Sequence, residues 1–278
     1  MNFCNNVGVI WMAEDDFSAK ILRQLADFAG LTEQNSPAVA VLNSMETPEY
    51  LAAAESGKFN AGFCCLFRIL PDGSIDIFIE RNDFSGSPEL NYGRLRQIFY
   101  LGLMTGFNNN ELPIHGALAS FNGKGWLFLG CSGMGKSTTM RRLSAEWRVL
   151  SDDAVYLKHL DDGKILCYPL PTWSCGYAGT ANIFTADNAV PLAGIIELKR
   201  GCNSMTLLSG LERYRELLRG FHDLFSCFEC GFNAELKRNF RCQAVNFAGM
   251  ILEKNLLFYR MKINLKNDFA DLLRNCVC

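Results

Sequence analysis

The spacing of apolar and polar residues predicts helices and strands in the first part of the chain. Phe17, Ile21, Leu25 and Phe28 recur at helical spacing before Gly30, and they predict one amphipathic helix. Later patterns predict a buried strand over 38–42, a helix over 47–57 that starts at Thr47-Pro48, a hairpin of strands 63–70 and 74–80, and a helix over 90–105 with Leu95, Ile98, Phe99 and Leu103 toward a core. Residues 1–110 are therefore predicted to form a small α+β region that serves as a scaffold or for substrate docking.

From Pro113 onward, short apolar runs alternate with turns and with helical patterns. Strands are predicted over 114–120, 126–130, 148–150, 194–198 and 256–263, and helices over 137–147, 211–225, 234–253 and 268–274. The turns Asn122–Gly125 and Asp161-Asp162-Gly163 join neighbouring strands. The sequence contains no internal repeat and no low-complexity linker. We predict a domain junction near residues 108–113 and a second domain of the α/β class over 111–278.

Composition limits the classes of protein to which the chain can belong. Its 278 residues allow one large domain or two modest ones, and 49% hydrophobic and 20% charged residues are typical of a globular protein. A net charge of −2 gives no general attraction to nucleic acid or to an anionic membrane. The N-terminus lacks the basic start and cleavage site of a signal peptide. We therefore expect a cytoplasmic protein that binds neither membranes nor nucleic acid.

The cysteines do not follow the spacing of a zinc site. The pair Cys227-x2-Cys230 stands alone, and Cys242, Cys276 and Cys278 complete no known ligand pattern. Cys64 and Cys65 lie within an apolar run, where they are expected to be small buried hydrophobic residues. We expect no structural metal site and no disulfides in a reducing compartment.

The strongest chemical signal is a glycine-rich loop between a predicted strand and a predicted helix. The loop has the GxxxxGK[ST] pattern of a Walker A motif, or P-loop. Its glycines let backbone N–H groups approach phosphate oxygens, Lys136 supplies a positive charge for the β- and γ-phosphates, and the Ser137 hydroxyl is a ligand for Mg²⁺. The predicted nucleotide-binding residues are Gly130, Cys131, Ser132, Gly133, Met134, Gly135, Lys136, Ser137 and Thr138.

Two acidic residues and one histidine flank this loop along the chain. Asp152 and Asp153 follow the predicted strand 148–150, whose carboxyl end is expected beside the loop. One carboxylate can bind Mg²⁺ or its water shell, and the other can accept a proton from an attacking hydroxyl. Adjacent aspartates are also ordinary turn residues, and His115 alone is more often structural than functional.

In this order, these motifs resemble the HPr kinase/phosphorylase family. The matching features are His115-Gly116, the loop Gly130–Ser137 and Ser151-Asp152-Asp153-Ala154-Val155, and the loop is also similar to that of phosphoenolpyruvate carboxykinases. The resemblance implies an HPr kinase/PEP carboxykinase-like P-loop core in the α/β class, preceded by the smaller α+β region. The chain most resembles short members associated with modified-peptide biosynthesis, which include lasso-peptide kinases and the ScmC component of SynChlorMet cassettes. The run Tyr168–Ser174 suggests the latter.

The resemblance implies a role for each matching residue. Lys136 would neutralise the phosphoryl group, Ser137 and Asp153 would hold Mg²⁺, Asp152 would be the base, and His115 would lie beside Asp152 or the transferred phosphate. The implied activity is an ATP- and Mg²⁺-dependent kinase that phosphorylates a Ser or Thr hydroxyl of a peptide or small protein, such as a ribosomal precursor peptide. A homo-oligomer is compatible with this family.

The sequence leaves several alternatives open. The loop variant shared with carboxykinases leaves a small-molecule kinase or a carboxykinase-like activity open. The second, glycine-rich signature of bacterial HPr kinases is missing and the assisting arginine is undetermined, which leaves room for an inactive nucleotide-binding component of a biosynthetic complex. Residues 169–180 are either a substrate-facing loop or a buried connection. The sequence does not choose the phosphoryl donor among ATP, GTP and pyrophosphate. Nor does it choose an assisting arginine among three on one predicted helix: Arg213, Arg215 and Arg219.

Overall fold

A computed structural model of the chain describes residues 2–4, 10–29, 31–34, 40–56, 60–61, 64–72, 74–86, 88–105, 110–170, 172, 189–226, 229, 232–264, 269 and 272–273. The chain divides into two compact units, and both are mixed α/β. Unit 1 comprises residues 1–107, 173–186 and 227–239, and unit 2 comprises residues 108–172, 187–226 and 240–278. The predicted loop, aspartates and histidine all belong to unit 2.

The described residues of unit 1 form a seven-stranded sheet. Its strands are β1 (Asn2–Cys4), β2 (Ile10–Ala13), β3 (Thr32–Gln34), β4 (Ala40–Ser44), β5 (Asn60–Ala61), β6 (Cys65–Ile69) and β7 (Ile75–Ile79). They lie in the order β3-β1-β2-β4-β7-β6-β5, and only β2, β4 and β7 pair in parallel. The described helices are α1 (Asp16–Ala29), α2 (Pro48–Ser56) and α3 (Pro88–Thr105).

Most of the local predictions for unit 1 are confirmed. The predicted amphipathic helix is α1, and the Asp15 carboxylate caps it by accepting hydrogen bonds from the backbone N–H groups of Phe17 and Ser18, each at 3.0 Å. Strands β6 and β7 form the predicted hairpin. Cys64 and Cys65 are buried, as are the predicted core residues of α3. The strand predicted over 38–42 is described from Ala40 onward.

Unit 2 contains a nine-stranded mixed sheet. Its strands are β8 (Glu111–His115), β9 (Ala117–Phe121), β10 (Lys124–Leu129), β11 (Trp147–Ser151), β12 (Ala154–His159), β13 (Ile165–Pro169), β14 (Val190–Arg200), β15 (Ser204–Leu207) and β16 (Leu257–Ile263). Seven of them follow the order β11-β9-β10-β14-β13-β12-β8, while β16 pairs with β14 and β15 pairs with β16. The described helices are α4 (Lys136–Arg141), α5 (Gly210–Phe225) and α6 (Ala234–Leu252), the last assigned to unit 2 from Phe240 onward.

Two predictions for unit 2 are wrong in detail. The strand predicted over 114–120 is two strands, because β8 pairs with β12 and β9 pairs with β10 and β11, so the chain changes partners at Gly116. The helix predicted over 137–147 ends at Arg141, and Trp147 instead begins β11 opposite Phe121. Met140 and Trp147 still share one core cluster, which explains their helix-like spacing.

Different helices and side chains pack on the two faces of the sheet in unit 2. Trp126 and Phe128 of β10 belong to the core cluster with Met140 and Trp147. Because side chains alternate along a strand, Leu127 and Leu129 point to the opposite face. On α5, a Cβ added to Gly220 would come within 2.7 Å of the Ile114 side chain, so this glycine permits close packing on β8.

The remaining predictions fall partly outside the described residues. Of the helix predicted over 268–274, only Leu272 and Leu273 are described as helical. Residues 171 and 173–180 of the predicted substrate-facing loop are not described, nor are Cys227, Cys230, Cys276 and Cys278. None of the helices that the structure describes is long and apolar enough to span a bilayer.

Candidate functional site

Unit 2 brings the carboxyl ends of β10, β11 and β14 to the same edge of the sheet. Strands β10 and β14 are parallel, and β9 runs antiparallel to both β10 and β11, so β10, β11 and β14 share one direction. After their carboxyl ends come the glycine-rich loop Gly130–Ser137, the pair Asp152-Asp153 and the side chain of Arg200. The carboxyl edge of such a sheet is where ligands bind in open α/β folds.

The glycine-rich loop has the backbone conformation that its glycines allow. Gly133 and Gly135 have φ angles of 77° and 102°, in the left-handed region that other residues rarely adopt. At Gly130 an added Cβ would lie 3.3 Å from the Leu198 carbonyl oxygen, so the loop starts in close contact with β14. Met134 donates its backbone N–H to the Cys131 carbonyl at 3.2 Å, which closes the turn.

Lys136 is a buried cation at the base of this loop. Its side-chain ammonium donates to the Gly130 carbonyl oxygen at 2.7 Å and to the Cys131 carbonyl oxygen at 3.5 Å. Burial lowers the pKa of Lys136 below its ordinary value, and the charge of Arg219 acts in the same direction, whereas Asp153 and Asp223 raise it. An anion in contact with this ammonium would favour its charged form further.

The two aspartates occupy the turn between β11 and β12. Ser151 fixes this turn by donating its hydroxyl to the Ala154 carbonyl oxygen at 2.7 Å. In the β8–β12 ladder His115 lies opposite Ala154, and its Nε2 is 3.5 Å from the Asp153 Oδ1. The ladder therefore holds the imidazole beside Asp153, and that pair is an ion pair when the histidine is protonated.

A threonine that the sequence reasoning did not single out contacts the other aspartate. Thr172 is fully buried, and its hydroxyl donates to Asp152 Oδ1 at 3.1 Å. Its only sequence signal was its place in the run Tyr168–Ser174, three residues beyond β13. The hydrogen bond restricts the orientation of the Asp152 carboxylate.

Most of these groups line one pocket, which has a volume of about 310 Å³. That volume is near the lower end of the range of roughly 300–1,000 Å³ for ligand pockets. Of the predicted residues, Gly130, Cys131 and Met134 belong to the loop but not to the pocket wall. The lining residues are His115, Ser132, Gly133, Gly135, Lys136, Ser137, Thr138, Asp152, Asp153 and Arg200.

None of the three arginines proposed from the sequence lines this pocket. Arg213 donates to the Leu208 carbonyl oxygen at 2.6 Å, and Arg215 lies beside Glu216 with 65% of its side chain exposed. Arg219 forms ion pairs with two fully buried carboxylates, those of Glu197 and Glu216. Among the described residues, the arginine that lines the pocket is Arg200, which donates to the Gly133 carbonyl oxygen at 2.8 Å.

The donor atoms in the pocket suit a hard divalent cation. The carboxylates of Asp152 and Asp153 and the hydroxyl of Ser137 are oxygen donors, which Mg²⁺ prefers, and a Mg²⁺ ion commonly keeps several water ligands. Within the described residues, no group of three or more His, Cys, Asp or Glu side chains is arranged to hold a metal ion. A magnesium ion here would therefore rely on substrate phosphates and water for its remaining ligands.

Comparison with known protein families gives a match to a family model. The model of the family described as SynChlorMet cassette protein ScmC matches residues 92–277, about two thirds of the chain. The match covers all of unit 2 except the last residue, and with it the whole pocket. No curated protein matches the chain significantly.

Proposed function

The chain belongs to the ScmC family of SynChlorMet cassette proteins, and we propose that it is an ATP- and Mg²⁺-dependent kinase with a core like that of HPr kinases. The proposed reaction moves the γ-phosphoryl group to a Ser or Thr hydroxyl of a peptide or small protein. The observation that carries this proposal is the pocket in which the glycine-rich loop and Lys136 face Asp152 and Asp153.

The loop side of the pocket suits the triphosphate. Left-handed glycines expose backbone N–H groups without a Cβ in the way, and Lys136 brings a charge into the same space. Because the Lys136 ammonium is buried, its attraction to a phosphate is less screened than that of a surface lysine. These features support binding of a polyphosphate.

The oxygen donors of the pocket suit the metal and the acceptor. Asp153 and Ser137 would hold Mg²⁺, which when bound neutralises charge on the β- and γ-phosphates. Asp152 would take the proton from the hydroxyl group of the acceptor. The oxygen of that hydroxyl would form a bond to the γ-phosphorus, and the bond between the γ-phosphorus and the β-phosphate oxygen would break, so that ADP leaves. The Thr172 hydroxyl donates to Asp152 Oδ1 at 3.1 Å, and this hydrogen bond would hold the carboxylate in one orientation for that step.

The family name suggests where the acceptor comes from. The name places ScmC in a gene cassette, so we infer that the acceptor is made or modified by the same cassette, with a ribosomal precursor peptide as the first candidate. The acceptor and the other cassette proteins are the partners that this proposal implies.

A transfer assay tests the proposal. Purified protein is incubated with γ-labelled ATP, Mg²⁺ and the precursor peptide from the same cassette, with α-labelled ATP as the matched control. Label from γ-labelled ATP alone, on a peptide serine or threonine, is expected. Label on a metabolite instead would indicate a small-molecule kinase. Nucleotide binding without transfer to any cassette peptide or metabolite would indicate an inactive nucleotide-binding component.

Thr172 would orient the proposed base, Asp152, so its replacement is expected to slow phosphoryl transfer moderately. Thr172→Val removes a hydroxyl without changing the shape of this buried side chain, and we expect kcat to fall by about 10-fold while KM for ATP stays unchanged, since about one hydrogen bond is lost. Thr172→Ser keeps the hydroxyl and should restore most of the rate. If valine and serine variants have equal rates, Thr172 does not position Asp152.

A further inference from the structure

Arg200 reaches the pocket from a strand that carries none of the predicted motif residues. It is the last residue of β14, its side chain is exposed, and it lines the pocket with Lys136 and the two aspartates. Its guanidinium donates one hydrogen bond, to the Gly133 carbonyl oxygen at 2.8 Å. That bond aims the guanidinium at the glycine-rich loop.

Arg200 differs from the nearby cations, whose charges are compensated by glutamate carboxylates. Arg219 and Arg260 each form ion pairs with two glutamates, and Lys199 lies 2.8 Å from Glu197. Among the residues that the structure describes, Arg200 forms no ion pair with a carboxylate, and a carbonyl is its one recorded acceptor. A guanidinium has five N–H donors, so four remain available for an anion.

We propose that Arg200 binds the terminal phosphate of the nucleotide, a role that rests on the proposed function. A guanidinium can bind two phosphate oxygens through paired N–H donors, which a lysine cannot do. Arg200 lines the same pocket as Asp152 and His115, so an anion bound between the loop and these residues would be within its surroundings. Arg200 would stabilise negative charge on the γ-phosphoryl group, and its hydrogen bond to the Gly133 carbonyl oxygen would hold the guanidinium in place.

Comparing the affinities for ATP and ADP separates this role from general electrostatic attraction, because only ATP has the γ-phosphate that Arg200 would bind. We measure both affinities with Mg²⁺ by calorimetry for the wild type, Arg200→Gln and Arg200→Lys. Arg200→Gln is expected to weaken ATP binding by about 10- to 100-fold, the usual effect of losing a charged hydrogen bond, and ADP binding by less than about threefold. Arg200→Lys should be intermediate because it keeps the charge without the paired donors.

The matched control is Arg141→Gln, which removes the same charge from an exposed arginine at the end of α4, outside the pocket. It is expected to bind both nucleotides as the wild type does. The proposal is overturned if Arg200→Gln binds ATP as Arg141→Gln does, or if ATP and ADP binding weaken equally. Because binding is measured without an acceptor, a wild type that binds ATP but transfers no phosphate would refute the kinase and not the role of Arg200.

Discussion

Replacing Asp152 by asparagine is expected to slow phosphoryl transfer by roughly 100- to 10,000-fold, the usual contribution of a general base. Asparagine has the same size, and its carbonyl oxygen can still accept the hydrogen bond that Thr172 donates to Asp152 at 3.1 Å. The substitution therefore removes the proton acceptor and leaves the pocket in shape. ATP affinity should change by less than about threefold, since no charged hydrogen bond to the nucleotide is lost.

Two neighbouring variants sharpen this test. Asp153→Asn is expected to raise the Mg²⁺ concentration needed for half-maximal rate, because it removes a charge from the proposed metal ligand. Asp162→Asn, in the exposed turn between β12 and β13, should leave the rate unchanged. Single-turnover rates and calorimetric ATP affinities are measured for all three. If Asp152→Asn transfers at the wild-type rate, Asp152 is not the base.

The parts of the fold that the sequence predicted correctly depend on short-range signals. The hairpin of β6 and β7 needs only a turn between two apolar runs, and α1 needs only one helical stripe and a cap. The glycine-rich loop is equally local, because left-handed positions and a following Lys-Ser leave a recognisable pattern. Each of these features is fixed within a stretch of at most 15 residues, from Cys65 to Ile79 for the hairpin and from Asp15 to Ala29 for the capped helix.

The errors concern features that depend on distant strands. Gly116 ends one strand only because β8 and β9 have different partners, and α4 ends early because Trp147 pairs with Phe121. Arg200 was missed for the same reason, since only the parallel pairing of β14 with β10 brings it to the loop. A search of predicted strand ends for cations would have found it.

A second large effect is expected from a carboxylate that looks like an ordinary surface charge in the sequence. Glu197 lies in the stretch Glu197-Leu198-Lys199-Arg200, which has three charged residues, yet its side chain is fully buried. Its carboxylate is 2.6 Å from the Arg260 Nε, 2.8 Å from the Lys199 Nζ and 3.5 Å from an Arg219 guanidinium nitrogen. One buried anion thus compensates cations from β14, β16 and α5.

Glu197→Gln leaves these cations near one another without their shared anion. We expect the free energy of unfolding to fall by about 3–5 kcal/mol, the usual cost of removing one partner from a buried ion pair. Urea unfolding measures this change. Glu212→Gln is the matched control, because Glu212 also pairs with Arg260, at 3.0 Å, but its side chain is 44% exposed. An exposed pair contributes about 0–1 kcal/mol, so the control should be close to the wild type.

The double variant Glu197→Gln/Arg260→Gln completes the test. If the loss comes from uncompensated charge, removing Arg260 from the Glu197→Gln protein should cost less than removing it from the wild type, and the two effects will not add. Additive losses would mean that the carboxylate stabilises unit 2 by packing alone. In that case Glu197→Gln would lower the free energy of unfolding only slightly, because glutamine has nearly the same volume as glutamate. The single variant therefore tests the same explanation as the double variant.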